Sequence, residues 1–173
     1  MEKAMNSRVR ALAAAVLLCL SSSLLLAQDP KPAPLSSPEL KQVVPTSYFF
    51  RGQSATVQIR NASGFRMPGG KVVFAALVDT SGYAHDVAEK YQGLLITEVK
   101  ISLGGKQLVP GAYGFGFLDD GKLIIMDVGA NDLLTVSSTI DEQLRHPVPL
   151  KMEPDGNGYR FYSGRKWAAL KPE

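Results

Sequence analysis

The fold is decided by AYGFGFLDDGKLIIMDV, residues 112–128, in which two apolar runs meet at an acidic turn. Asp120-Gly121 is a favoured two-residue hairpin loop, because a type I′ turn needs positive φ at both central positions. With that loop, Leu118 lies opposite Leu123 and Phe117 lies opposite Ile124. Side chains alternate between the two faces of a strand, so one face of this hairpin is apolar throughout. That face carries Tyr113, Phe115, Phe117, Ile124, Met126 and Val128.

The opposite face of the same hairpin carries little side-chain volume, since Ala112, Gly114 and Gly116 alternate along it. Glycine weakens the interior of a strand and marks a place where another group comes close. A ligand or another backbone could approach there, which makes Tyr113, Gly114 and Gly116 candidate ligand contacts. A bulge, a tight bend or large side chains from a neighbouring strand also explain the glycines, and we favour this second interpretation.

A second hairpin is predicted immediately before the first, in the sequence KISLGGKQL. Gly104-Gly105 forms its loop, because both residues adopt positive φ without steric cost. Leu103 then faces Lys106, and Ile101 faces Leu108. A third hairpin joins residues 150–153 to residues 159–162 through a Pro- and Gly-containing turn, and its register stays open.

The remaining apolar runs also predict strands. Residues 71–80, KVVFAALVDT, are apolar on both alternations, which is typical of a central strand covered on both faces. Residues 61–70 contain Pro68 and three glycines and predict a loop. Short helical turns are expected at 86–91 and 139–144, and further strands at 47–50, 55–60, 94–103 and 133–139.

Many strands at short spacing predict an all-β domain over residues 46–173, either an antiparallel β-sandwich or a partly open barrel. Residues 28–45 precede it and contain Pro30, Pro32, Pro34 and Pro38. Proline at this spacing favours an extended polyproline II conformation, so this segment is predicted to be a linker.

Residues 1–27 are typical of a secretory signal peptide, with basic residues first, an apolar run at 11–20 and Ala27 before the cleavage point. The alternative is a retained membrane anchor, but the unbroken apolar run is shorter than the roughly 18–20 residues that span a bilayer. Cys19 is the only cysteine and lies in this leader. We therefore expect a periplasmic or secreted protein without thiol chemistry, associated with a membrane only through the export signal.

The net charge of the chain does not indicate a nucleic-acid partner once the leader is considered separately. The chain has 19 basic and 16 acidic residues. The leader contains Glu2, Lys3, Arg8 and Arg10, so its removal leaves 16 bases and 15 acids, a net charge of +1. The basicity is thus mostly part of the export signal, and we expect the partner to be an envelope protein or a glycan.

Residues 104–123, GGKQLVPGAYGFGFLDDGKL, resemble the L-x-P-G-x-Y-x-F element of small exported β-sandwich domains. Prealbumin-like and carboxypeptidase-regulatory-like modules use such an element to place an aromatic strand after a Pro-Gly turn. The resemblance implies a sandwich accessory domain and implies no catalytic residue.

Two further groups of residues are functional candidates. His85 and Glu89 are four residues apart, with Asp86 beside them, and would share a helical face on which a metal could bind if another ligand came from elsewhere. A solvated polar loop is the alternative. Arg160 and Trp167 lie in a basic, aromatic C-terminal region that could bind a ligand. A closing strand whose bases balance an acidic middle region is the alternative there.

No cofactor is expected, because the glycine-rich stretches lack the Lys-Ser/Thr pair of a phosphate-binding loop. Three functions remain open. The first is an exported binding or accessory module that acts by surface contact. The second is a metal-dependent enzyme with a site near His85 and Glu89. The third is a structural envelope protein that self-associates through exposed strand edges, and the sequence leaves the oligomeric state open.

Overall fold

Two antiparallel β-sheets make up most of residues 31–173, the part of the chain that the computed structural model describes. This confirms the all-β prediction. The predicted signal peptide and the first residues of the predicted linker lie outside the described residues. Within residues 31–173, no helix is long and apolar enough to cross a membrane.

The strands and helices follow one another in short steps. The strands are β1 (Ala33–Pro34), β2 (Ser47–Phe50), β3 (Gln53–Arg66), β4 (Val72–Val78), β5 (Gly93–Thr97), β6 (Ile101–Leu103), β7 (Lys106–Leu108), β8 (Gly111–Phe117), β9 (Lys122–Met126), β10 (Asp132–Ser137), β11 (Thr139–Ile140), β12 (Val148–Asp155), β13 (Gly158–Gly164) and β14 (Lys166–Pro172). The helices are α1 (Ser37–Val43) and α2 (His85–Lys90).

The first sheet has the strand order β1-β3-β4-β5-β8-β9-β10, with β2 also paired to β3. The second sheet has the order β12-β13-β14-β6-β7, with β11 also paired to β14. The sheets pack face to face around one apolar cluster to which both contribute, including Phe115 from β8 and Phe161 from β13. This packing agrees with the predicted β-sandwich.

The first sheet is covered on both sides. Its β4 strand confirms the prediction for residues 71–80, since Val73 and Ala75 face the second sheet while Phe74 and Ala76 belong to a separate apolar cluster. That second cluster lies under the N-terminal segment and α2, and includes Leu40, Tyr48, Phe50, Val87 and Tyr91.

The register predicted for the β8–β9 hairpin is wrong by one residue. Phe117 pairs with Leu123, and Phe115 pairs with Ile125. Only Gly121 has positive φ in the turn, +78°, and the Leu118 N–H donates to the Lys122 carbonyl. This is the geometry of a three-residue loop that ends in a left-handed glycine. Ile124 and Met126 therefore face away from Tyr113, Phe115 and Phe117.

The other two hairpins have tight two-residue loops. Ile101 pairs with Leu108 and Leu103 with Lys106, which confirms the predicted register around Gly104-Gly105. In the third hairpin, Asp155 pairs with Gly158, so the loop is Gly156-Asn157 and shorter than the turn predicted at 154–158.

The segment predicted as an extended linker folds onto the domain from Ala33 onward, which corrects that prediction. Pro38 lies in the first turn of α1, where a missing N–H costs nothing. Glu39 stabilises the start of the helix, because its carboxylate accepts from the Ser36 backbone N–H, as in a capping box, and from the Ser36 hydroxyl. Leu35, Leu40 and Val44 are buried, and their burial holds the segment in place.

Two smaller predictions also need correction. Residues 61–66, predicted as part of a loop, continue β3 as far as Arg66. Residues 139–144, predicted as a helical turn, form β11 and a turn instead. The closing strand predicted as the alternative for the basic C-terminal residues is confirmed as β14, which lies between β13 and β6 in the second sheet.

Candidate functional site

The candidate site lies on the outer face of the second sheet, on β13 and β14. Residues alternate along these strands, so Phe161 and Ala168 face the core while Arg160, Tyr162 and Trp167 face outward. Tyr162 pairs directly with Trp167 across the two strands. The alternation thus brings together two residues, Arg160 and Trp167, that the sequence predicted as ligand contacts.

The Arg160 guanidinium lies over the Trp167 ring, with its carbon 4.5 Å from the ring centroid. This is a cation–π contact, in which the ring face attracts the cation. The Arg160 Nε also donates to the Asp155 carboxylate at 2.8 Å. That hydrogen bond, and then the Tyr162 hydroxyl, raise the pKa of Arg160, so the guanidinium remains a fixed positive charge.

Arg160, Tyr162 and Trp167 form a platform on the outer face of the sheet, and Tyr162 is its most deeply buried member. It is 2% exposed, and its hydroxyl donates to the Asp141 carboxylate at 2.9 Å. Burial is the main reason that its pKa is raised, so it remains a neutral hydroxyl. Arg165 donates to the carbonyls of Asp141, Glu142 and Leu144, which fixes the segment that covers Tyr162. The platform is therefore held by hydrogen bonds on two sides.

A shallow groove of about 300 Å³ lies beside this platform. Arg160 pairs with Ala169, a residue that lines the groove, so the platform and the groove are neighbours on β13 and β14. The lining of the groove combines small residues, the buried side chains of Tyr159 and Leu170, and polar residues. The lining residues are Ser102, Gly105, Asn157, Gly158, Tyr159, Ala169, Leu170 and Lys171. A flat ligand could lie on the apolar part of this lining while its polar edges meet the polar residues.

The other predicted ligand contacts do not form a site, which corrects that prediction. Gly114 and Gly116 are buried, and the chain itself fills the space above them. A Cβ on Gly114 would lie 2.5 Å from the Phe50 ring, and one on Gly116 would lie 1.9 Å from the Lys90 carbonyl oxygen. Tyr113 is 7% exposed, and its hydroxyl donates to the Val109 carbonyl at 2.8 Å. The glycines thus serve close packing within the chain.

The predicted metal ligands lie on α2. His85, Asp86 and Glu89 are all exposed, and Asp86 makes a loose ion pair with Arg51 at 3.9 Å. Among the described residues, no group of three or more His, Cys, Asp or Glu side chains is arranged to hold a metal. The metal site therefore stays a prediction without a further ligand.

Two larger cavities adjoin each other near the β8–β9 turn, with volumes of about 490 and 470 Å³. Glu89 lines the first, and Lys166 lines the second. Lys166 joins the two sheets there, because its ammonium donates to the Leu118 carbonyl at 2.9 Å and to Asp119 at 2.7 Å. Hydrogen bonds among the chain's own residues thus satisfy many of the polar groups in this cleft.

The composition of the C-terminal region indicates Arg160 and Trp167, but it does not indicate Asp155, which holds Arg160, or Asp141, which holds Tyr162. The sequence predicts a turn at Asp155, whereas the alternation of residues 159–162 indicates that Arg160 and Tyr162 share a face. Comparisons with protein families, with curated proteins and with solved structures find no match, so geometry alone carries the interpretation of this site.

Proposed function

We propose that this chain is an exported binding module that holds a glycan of the cell envelope on the outer face of its second sheet. The stacking of Arg160 on Trp167 is the observation that carries the proposal. An arginine held by Asp155 and laid over an aromatic ring is preorganised, so little side-chain entropy is lost when a ligand binds.

The chemistry of the surface fits a sugar better than a compact apolar ligand. A sugar ring has a flat C–H face and hydroxyl groups around its edge. The Arg160 guanidinium already covers one face of the Trp167 ring, so the apolar part of the groove suits the flat face of the sugar. Arg160, Asn157 and Lys171 supply donors for the hydroxyl groups. The groove is shallow and open, as a chain-like ligand that passes over the sheet would require.

Export is part of the proposal and depends on the leader-like residues 1–27. With that leader removed, the mature protein would meet polysaccharide rather than cytosolic nucleic acid. The fold of residues 33–173 would then act as a rigid support for the platform.

Trp167 is the only tryptophan, so its intrinsic fluorescence reports on the platform directly. We would titrate the protein with soluble glycan strands released from peptidoglycan, and sediment it with intact sacculi. We expect saturable fluorescence change, with Arg160→Ala weakening binding about tenfold or more, equivalent to about 1.4 kcal/mol. Trp167→Ala should abolish co-sedimentation.

Phe49→Ala provides a matched control, because Phe49 is an exposed aromatic residue (60%) on β2 of the other sheet. It should bind as the native protein does, and circular dichroism should show that all variants are folded. Equal binding by Arg160→Ala and Phe49→Ala, or no binding to either glycan form, would overturn the proposal. Retention of an envelope protein by the same platform would assign a protein partner instead.

Self-association is the second candidate, and the position of β10 at the edge of its sheet favours it, although Lys106 donates to the Thr135 carbonyl on that strand at 2.9 Å. Leu133 on this strand is 50% exposed, and among residues 31–173 β9 is the one strand that pairs with β10. An edge strand with an exposed apolar side chain can pair with a second copy. Light scattering at rising concentration should then detect dimers that Leu133→Lys dissociates, whereas a native monomer throughout would remove this candidate.

A further inference from the structure

The segment β1-α1-β2 follows a single edge of β3. The Leu35 N–H donates to the Gly64 carbonyl at 2.9 Å, and the Val57 N–H donates to the Thr46 carbonyl at 3.0 Å. On the other edge of β3, the neighbour is β4, which pairs with residues 57–58 and 62–66. Helix α1 therefore bridges a gap in the edge where neither β1 nor β2 pairs with β3.

A bulge in β3 faces that gap. Gln58 pairs with Leu77, but Ala62 pairs with Ala76, so residues 59–61 have no partner on β4. Extra residues on one strand push the backbone away from the ladder. A groove of about 330 Å³ results between the bulge and α1. Its lining residues are Ser37, Leu40, Lys41, Ile59, Arg60 and Ala62.

The groove combines an apolar floor with a basic rim. Leu40 is buried, while Ile59 and Ala62 are partly exposed. Lys41 and Arg60 are exposed, and within residues 31–173 neither forms an ion pair. Glu39 on the same helix does not neutralise them, because its carboxylate accepts from Ser36 and pairs with Arg66 at 3.4 Å.

We propose that this groove docks a short acidic and apolar peptide segment of a partner protein. An apolar side chain of the peptide would fill the space between Leu40 and Ile59, and its carboxylates would pair with Lys41 and Arg60. Complementary charge of this kind both steers association and fixes the register of the bound segment. The volume lies at the lower end of the range for ligand pockets, which suits one or two side chains.

A peptide fits this site better than a lipid surface does. Membrane binding by an amphipathic surface needs apolar side chains that protrude. The large exposed apolar side chains of the described residues all lie outside the groove, namely Phe49, Val109, Val128, Leu133, Ile140 and Val148. The groove instead places its apolar floor below its two cations.

Fluorescence anisotropy with a labelled hexapeptide, DLELDL, tests the proposal on the native protein. We expect saturable binding that weakens with added salt, and at least tenfold weaker binding of the charge-reversed hexapeptide KLKLKL. Arg60→Glu and Ile59→Asp should each weaken DLELDL binding tenfold or more. Arg145→Glu makes the same charge change at an exposed position outside the groove and should leave binding within about twofold.

A second measurement tests binding of the protein to vesicles of phosphatidylglycerol and phosphatidylcholine. Binding to the vesicles without binding to DLELDL would overturn the peptide assignment. A dissociation constant for DLELDL weaker than about 1 mM, or equal losses in Arg60→Glu and Arg145→Glu, would also overturn it. The proposal is independent of the glycan platform, so Arg160→Ala should bind DLELDL normally.

Discussion

The side chain of Gln92 pairs with the backbone of Phe117 as a strand residue would. Its Nε2 donates to the Phe117 carbonyl at 3.0 Å, and its Oε1 accepts from the Phe117 N–H at 3.0 Å. The Gln92 backbone N–H donates to the Phe115 carbonyl at 2.8 Å. The chain comes from α2 and enters β5 at this point, so the Gln92 side-chain amide extends the β5–β8 ladder by one more pair.

Gln92→Leu should therefore destabilise the protein by about 2 kcal/mol, because it leaves both backbone groups of a buried residue without partners. Urea unfolding followed by circular dichroism measures this loss. Gln143→Leu makes the same chemical change at an exposed position and should alter the free energy of unfolding by less than about 0.5 kcal/mol. Equal effects of the two variants would contradict the role of the Gln92 amide.

Gly116→Ala should cost about 3 kcal/mol, since the added methyl group would overlap the Lys90 carbonyl oxygen, which is part of the backbone. Thermal unfolding is a suitable measurement. Gly82→Ala is the matched control, because its Cβ would meet only the Gln53 side chain, at 3.7 Å. A Gly116→Ala protein as stable as Gly82→Ala would mean that α2 does not lie against β8.

The turn between β8 and β9 needs a left-handed residue at position 121, where φ is +78° and the nearest atom to an added Cβ is 4.0 Å away. Gly121→Ala should cost about 1 kcal/mol from backbone strain alone. Gly121→Asn should recover part of that loss, because asparagine adopts this conformation more readily than alanine. Chemical denaturation of both variants would show this order, and the reverse order would argue against the three-residue loop.

The pair of Lys166 and Asp119 should make stability sensitive to acid. The hydrogen bond from Lys166, and then its charge, lower the pKa of Asp119 below its usual value. The pair therefore contributes fully to the free energy of unfolding above about pH 4, the pKa of an unfolded Asp. That contribution is lost as the pH falls through the lowered pKa of Asp119 in the folded protein. Asp119 is exposed, so we expect a small effect.

Unfolding of the native protein and Asp119→Asn across acidic pH would test this linkage. The stability difference between them should shrink as the pH falls. When Lys166→Met is already present, adding Asp119→Asn should change the free energy of unfolding by an amount that no longer shrinks as the pH falls. A native-to-variant difference that stays constant down to about pH 2 would contradict the linkage.

The hairpins show how far local sequence reasoning reaches. The Gly104-Gly105 hairpin has the predicted register because its two-residue loop leaves only one pairing. In the β8–β9 hairpin the predicted pairing differs by one residue, and Leu123–Met126 supply apolar side chains to both faces. Since either register buries apolar groups, hydrophobic alternation could not distinguish them.

For the candidate site too, the sequence indicates some residues, whereas strand pairing decides how they meet. Arg160 and Trp167 were found from the abundance of basic and aromatic residues near the C-terminus. Their contact depends on the pairing of β13 with β14, and the support from Asp155 depends on the tight turn after β12. Neither feature appears in the spacing of the residues along the chain.

The sequence by itself determined the all-β class, the central strand and the Gly104-Gly105 turn, because these depend on alternation and on backbone freedom within a few residues. Tertiary structure decided the register of β8 against β9, the folding of α1 and the use of Gly114 and Gly116. Each of these depends on which distant group fills a space, as Phe50 and the Lys90 carbonyl do above the glycines. The N-terminal segment folds because Leu35, Leu40 and Val44 find an apolar surface on β3 and its neighbours, and proline spacing alone contains no information about that surface.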